Sequence, residues 1–249
     1  MRRKLAAGNW KMNGTAASLA QITALAALLP RDAPEVVICP PATLLMAAGA
    51  AAQGTGITLG AQNCHGANNG AHTGDISAPM IADTGAKYVI VGHSERRTDH
   101  AERDSAVRAK AVAAHAAGLT PIICIGETLA QREAGDTLGI IAAQLAESLP
   151  ELAPPDRTVI AYEPVWAIGT GKIPTQAQIV EVHDFIRANL VTRYGSDAAQ
   201  IIPLLYGGSV KADNAAAIFT AQNVDGALVG GASLLAADFA PIIAALAQS

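Results

Sequence analysis

The chain has 249 residues, 51% of them hydrophobic and 15% charged, enough for one large core and within the length range of a single barrel domain. A formal net charge of −4, with no long run of one sign, gives no electrostatic support for binding nucleic acid or a membrane surface. The three scattered cysteines Cys39, Cys64 and Cys124 point to reduced thiols, and no apolar h-region follows the basic start MRRKLAAGNWKMNG, so a cytoplasmic protein without a membrane span is expected.

Short apolar runs alternate with alanine-rich segments of helical period. KLAAGNW (4–10) is followed by a helical candidate at 15–29, EVVIC (35–39) by one at 42–53, and ITLGA (57–61) by a glycine-rich stretch at 66–77. KYVIVG (87–92) leads into the charged ERRTDHAERD (95–104), which reads as a solvated helix face or loop, and then a helix over 104–117. TPIICIG (120–126) precedes a helix over 137–148, and TVIAYE (158–163) a helix over 175–194; IPLLYG (202–207) precedes 212–221, and GALVG (226–230) closes the series. TLAQ (128–131) and TQAQ (175–178) fit a capping box, in which a threonine and a glutamine satisfy two orphan backbone donors reciprocally. Near-continuous apolar runs suit strands buried on both faces of a parallel sheet. Eight of them alternating with helices predict a closed (β/α)8 TIM barrel, one catalytic domain over 1–249, with a doubly wound open sheet as the alternative.

In such a barrel the chemistry belongs at the C-terminal strand ends, and these ends carry an unusual polar set. The first run ends in Asn9-Trp10-Lys11, the fourth in Gly92-His93-Ser94-Glu95 and the sixth in Glu163. Glu163 reads either as a general base made more basic by desolvation or as a capping or surface acid. His93 stands before a helix start, where backbone N–H dipoles disfavour the imidazolium; it could exchange protons with a substrate oxygen or simply be a hydrogen-bonded strand-end histidine. Lys11 is a fixed cation suited to a developing oxyanion or an ordinary surface lysine, and Asn9 an orienting group or a turn cap. Glu95 reads as a structural partner of Lys11 rather than an acid catalyst. YGGSV (206–210) and VGGAS (229–233) occupy the loops after strands 7 and 8, where barrels bind phosphate through backbone N–H groups. Glycine there removes the side chain and permits positive φ; tight turns would explain one pair but not both. No spacing resembles a zinc or calcium site, and His65 and His72 are expected to flank a glycine-rich loop rather than pair, so no metal is assigned.

Together, AGNWKMNG (7–14), AQN (61–63), NNGAHTGDIS (68–77), VGHSERR (91–97), CIGE (124–127), AYEPVWAIGTGK (161–172), LLYGGSV (204–210) and DGALVGGASL (225–234) resemble the triosephosphate isomerase family along essentially the whole chain. The resemblance implies interconversion of dihydroxyacetone phosphate and D-glyceraldehyde 3-phosphate through an enediolate, with neither cofactor nor metal. It makes Glu163 the proton shuttle, neutral His93 the electrophile, and Lys11 and Asn9 the groups that stabilise substrate oxygens. Gly169, Ser209, Gly230 and Gly231 would bind phosphate, and 164–174 would form a mobile lid. It also implies a homodimer through 66–77, with Thr73 approaching the partner's Lys11 region. The chain departs from the family's usual pattern at His72, where an aromatic is common, and at Asp75, where glutamate is frequent. It departs again at Ile173-Pro174, where a small flexible pair is usual; proline should stiffen that hinge and shift motion toward Gly169, Gly171 and Lys172. A Schiff-base aldolase using Lys11 and a non-catalytic phosphosugar-binding barrel are the competing readings.

Overall fold

A computed structural model describes residues 2–168 and 172–249. Eight parallel strands close on themselves in chain order: β1 (Leu5–Asn9), β2 (Glu35–Cys39), β3 (Ile57–Ala61), β4 (Tyr88–Val91), β5 (Thr120–Ile125), β6 (Val159–Tyr162), β7 (Leu204–Tyr206) and β8 (Gly226–Val229). The open-sheet alternative is excluded because β1 pairs with both β2 and β8, Gly8 standing opposite Ile38 on one side and Val229 on the other.

Period-2 alternation sorts each strand's side chains between two cores. Leu5, Ala7, Val37, Cys39, Ile90, Ile122, Cys124, Ala161 and Leu205 belong to a cluster of their own that fills the barrel lumen. Their neighbours Ala6, Val36, Ile38, Val89, Val91, Ile123, Ile125 and Ile160 join the larger cluster beneath the surrounding helices. The runs look continuously apolar because both faces are buried.

Five helical candidates fall close to where the pattern puts them: Ala20–Leu28, Leu45–Ala52, Asp104–Ala116, Thr137–Ser148 and Gln176–Tyr194. The sixth shrinks to Ala215–Phe219, because Asn214 Oδ1 accepts the Lys211 amide at 2.8 Å and holds the preceding residues in a turn. Both capping boxes form, but TLAQ caps a separate short helix, Leu129–Glu133. A closing helix, Ala236–Gln248, packs against Ala20–Leu28 and completes the ring; Pro241 within it breaks the usual sequence signal.

Two other expectations are corrected. ERRTDHAERD is not simply a solvated face: Arg97 donates to Gly92 O (2.8 Å), Asp104 Oδ1 (2.6 Å) and Cys124 O (3.0 Å), tying β4 to β5 from behind. Its Glu102 side chain is buried against Lys110 and Arg96. His65 and His72 do pair, their ring centroids 4.0 Å apart, because the stretch between them folds back: His65 N donates to Ile76 O at 2.8 Å and Asp75 N to His72 O at 3.0 Å. Among the described residues no helix is long and apolar enough to cross a membrane, and all three cysteines are buried and unpaired.

Candidate active site

At the C-terminal ends of the strands a cleft of about 230 Å³ brings together Asn9, Lys11, His93, Glu163, Ser209, Gly230 and Gly231. Glu95 touches two of these from the rim, Thr73 lies exposed on the loop 66–77, and Gly169 lies outside the described residues.

Glu163 follows the last residue of β6, and its amide donates to Ile125 O at 2.8 Å, continuing the ladder to β5. The residue is 1% exposed. Two glycines make room for it: a Cβ on Gly126 would meet the Glu163 carbonyl oxygen at 1.7 Å, and one on Gly207 would meet Glu163 Cγ at 2.8 Å. The carboxylate accepts from the Ser94 amide (3.0 Å) and the Ser94 hydroxyl (3.1 Å), and lies 3.0 Å from His93 Nε2. Burial alone would raise its pKa; the His93 ring and the two Ser94 donors outweigh burial and hold it below the ordinary carboxylate value.

His93 is the N-cap of the helix Ser94–Asp99, and its Nδ1 accepts the Glu95 amide at 3.2 Å. That bond assigns the proton of the neutral ring to Nε2, which faces Glu163 and the cleft. Burial opposes the imidazolium, but the Glu163 carboxylate, helped by Glu95, raises His93 above its ordinary value in this arrangement. The rise depends on contact with Glu163. Burial and Lys11 work against it, while the Glu95 carboxylate adds to it.

Lys11 has φ 53°, an uncommon conformation for a residue with a side chain. Three contacts hold it there: its amide donates to Asn9 Oδ1 (3.0 Å), its carbonyl accepts from Gln62 Nε2 (2.8 Å), and its ammonium meets Glu95 Oε1 (2.6 Å). Gln62 also donates to Cys39 O at 2.9 Å, which ties the lysine turn to the end of β2. Asn9, 5% exposed, therefore caps the turn and lines the cleft at once.

The opposite wall is backbone. Gly207, Gly208, Gly230 and Gly231 do not have positive φ, so conformational freedom is not why they are glycine. Space is the reason at three of them: a Cβ on Gly207 would meet Glu163 Cγ at 2.8 Å, one on Gly208 would lie 2.1 Å from Tyr206 Oη, and one on Gly230 would press on Lys11 Cε at 3.3 Å, whereas one on Gly231 would meet nothing within 4 Å. A short turn of 3-10 helix, Gly231–Ser233, begins at this wall. The wall offers amides and little negative charge, the setting for an anion.

Sequence reasoning missed the groups that hold these in place. Ser94 and Gly207 act at the carboxylate. Glu127, wholly buried, accepts from Tyr162 Oη (3.1 Å) and from Trp166 Nε1 (2.9 Å), so it anchors the segment leaving Glu163. The only signal for Glu127 was a carboxylate closing the apolar CIGE segment.

A strand-end carboxylate bonded to a histidine, a restrained lysine and an amide wall form one cleft; a family model described as triosephosphate isomerase matches residues 4–246 of the chain. The chain belongs to the triosephosphate isomerase family. Relatives bearing that name include those of Ruegeria pomeroyi, 61% identical over 249 residues that cover 100% of this chain and 99% of the relative, and Dinoroseobacter shibae, 61% identical over 246 residues that cover 99% and 100%. A crystal structure of triosephosphate isomerase from Bartonella henselae superposes with a TM-score of 0.91 at 48% identity, covering 98% of each chain. Family membership therefore agrees along the whole length with the barrel and its cleft.

Proposed function

We propose that this isomerase interconverts dihydroxyacetone phosphate and D-glyceraldehyde 3-phosphate in the cleft between Glu163 and the glycine wall. The observation that carries the reading is the convergence of a buried carboxylate, an Nε2–H imidazole and a lysine ammonium on one face of a cleft whose other face is backbone amide. The phosphate binds at Ser209, Gly230 and Gly231, and at Gly169 from the lid, which sets the two carbons of the isomerisation beside Glu163. Glu163 takes the proton from the carbon next to the carbonyl, and the electron pair of that C–H bond forms the enediolate. It then returns a proton to the neighbouring carbon. His93 donates its Nε2 hydrogen bond to the carbonyl oxygen as charge grows there, and moves the proton between the two oxygens. Lys11, held off its preferred backbone conformation by Asn9 and Gln62, supplies fixed positive charge to the same oxygens. Only protons move, so the chemistry needs neither cofactor nor metal.

The resting bonds of Glu163 to Ser94 are given up when the carboxylate turns to substrate, and His93 then works as a neutral ring. The lid 164–174 excludes water, which limits expulsion of phosphate from the enediolate. Lys11 sits in an ion pair with Glu95 at 2.6 Å, as a fixed cation does, which favours the isomerase over a Schiff-base aldolase. A pure phosphosugar binder would have no need of a buried base.

The active unit is a homodimer in this reading. The exposed loop 66–77 enters a groove on its partner, and a groove of about 940 Å³ that Lys11, Met12 and Met80 help to line is the surface that would receive it. Met12 is 96% exposed in the isolated chain and Met80 57%, both suited to burial by such a loop. Thr73 of one chain then approaches Lys11 of the other. Residues 1–249 act as one catalytic domain, and unpaired buried thiols favour a cytoplasmic location.

A coupled assay of glyceraldehyde 3-phosphate isomerisation by wild type and Glu163→Gln tests the assignment. Loss of a positioned base lowers turnover by about 10²–10⁴-fold; near wild-type turnover would refute the role given to Glu163.

A further inference from the structure

The loop 66–77 places three ligating side chains together that its sequence spacing keeps apart. His65, His72 and Asp75 each present one nitrogen or oxygen within 4.8 Å of the others. His65 comes from one end of the loop, Asp75 from the other and His72 from its interior. Backbone bonds enforce the meeting: His65 N to Ile76 O (2.8 Å) and the bridge between His65 and Ser77 close the ends, while His72 N to Gly70 O (3.0 Å) and Asp75 N to His72 O (3.0 Å) curl the interior back. Gly70, at φ 138°, leaves the His72 ring room that a Cβ would contest at 3.3 Å. His65 Nδ1 accepts the Ala67 amide at 3.0 Å, which turns Nε2 toward Asp75 Oδ2, 3.8 Å away.

We propose that His65, His72 and Asp75 form a zinc-binding site within this loop, with an open fourth position for water. Two imidazoles and one carboxylate are the borderline donors that suit Zn²⁺ over Mg²⁺ or Ca²⁺. Tetrahedral coordination at about 2.0–2.1 Å sets ligand atoms roughly 3.4 Å apart, so the donor atoms must draw together while the His65 and His72 rings, with centroids 4.0 Å apart, splay open about the ion. Ligation through His65 Nε2 shifts that ring's proton to Nδ1 and exchanges the Ala67 hydrogen bond for a metal–nitrogen bond. All three ligands belong to one chain, so the site is complete without a partner. None of the three residues lines the Glu163 cleft, although Asp75 shares the neighbouring groove with Lys11, and the site does not rest on the proposed reaction. Its effect is to cross-link both ends of the loop to its middle.

Calorimetric titration of Zn²⁺ into chelator-treated full-length protein tests the site, with circular dichroism confirming the fold of each variant. The expected result is saturable binding of one ion per chain, weakened at least about tenfold by His72→Phe and by Asp75→Asn, since even outer-shell changes cost metal sites 10–100-fold. His72→Phe keeps a ring in place and Asp75→Asn keeps the side-chain shape, so a folded form of either decides the question. No saturable binding to the wild type would overturn the proposal. So would binding that both variants retain, because the ion would then sit elsewhere.

Discussion

At the N-terminal ends of the strands Asp225 accepts from Arg2 Nε (2.6 Å), Arg187 Nη2 (3.0 Å) and the Leu204 amide (2.9 Å); at the C-terminal ends Glu163 accepts from Ser94 and lies against His93. Both carboxylates are buried, at 6% and 1% exposure, and both are bonded by several donors. The difference lies in the donors and in what faces them. Guanidinium groups do not give up their protons, and the Asp225 network is closed in by β7, β8 and the helix Gln176–Tyr194. Imidazole and hydroxyl do exchange protons, and the Glu163 network opens on a cleft. Burial and charge mark a structural lock as readily as a catalytic group; exchangeable partners beside open space separate the two.

The sharpest way to break this comparison is to neutralise each carboxylate. Asp225→Asn leaves Arg187 buried without its counter-charge and should cost about 3–5 kcal/mol in urea unfolding, while folded enzyme keeps turnover within a few-fold. Glu163→Gln should do the reverse, losing turnover with little loss of stability. If Asp225→Asn abolished turnover in folded protein, the structural reading of that end would fail.

A second test lies between the two ends. His183 is fully buried, packs edge-on to Tyr162 at 5.9 Å and has Nδ1 3.0 Å from Asn223 O. Burial pulls its pKa from 6.5 down to about 4. The unfolded chain therefore binds a proton that the folded chain refuses between those values. Its contribution to stability is complete above about pH 6.5 and is lost as pH falls toward 4. Unfolding free energy should fall across that window with a slope from this group of at most about 1.4 kcal/mol per pH unit. His183→Gln should flatten the slope by that amount; an unchanged slope would assign the acid sensitivity to other groups.

A smaller effect is expected at Ser94. Ser94→Ala removes the hydroxyl bond to Glu163 at 3.1 Å and leaves the amide bond. Burial then weighs more against the carboxylate, so the acid limb of the kcat/KM profile should move up, by up to about one pH unit. A limb that stays in place or moves down would show that the hydroxyl does not tune Glu163.

The barrel was legible because strands buried on both faces are written as unbroken apolar runs, and the cleft because eight parallel strands end on one rim. Residues such as Asn9, His93 and Glu163 needed only their place at a strand end to be singled out. What escaped depends on contacts that chain spacing does not encode. Ser94 reaches Glu163 across 69 positions, and Gly126 and Gly207 matter because of where the Glu163 backbone and side chain pass. Arg97 and Glu102 read as solvated because a charge run looks the same whether it faces water or a buried partner. The His65–His72 contact was hidden because a tight loop, not a helical or strand period, brings the rings together.

The smallest effect expected is at the far edge of the proposed lid 164–174, whose two described ends differ. On the near side the Trp166 indole donates to Glu127 Oε1 at 2.9 Å with Arg132 over its ring, and Val165 N donates to Glu127 O at 3.1 Å. On the far side Pro174 fixes its own φ and restricts Ile173, and the capping box follows at once, Thr175 N donating to Gln178 Oε1 at 2.9 Å and Gln178 N to Thr175 Oγ1 at 3.3 Å. Covalent restriction running straight into a helix cap leaves few torsions there to absorb a lid movement. A hydrogen-bonded anchor can instead be exchanged. The far hinge should therefore be the stiffer of the two, and Ile173→Thr/Pro174→Ala should speed microsecond–millisecond exchange reported by Trp166 and Ile168 in relaxation dispersion on the free enzyme. Identical exchange rates in the variant and the wild type would mean that the near anchor alone governs the motion.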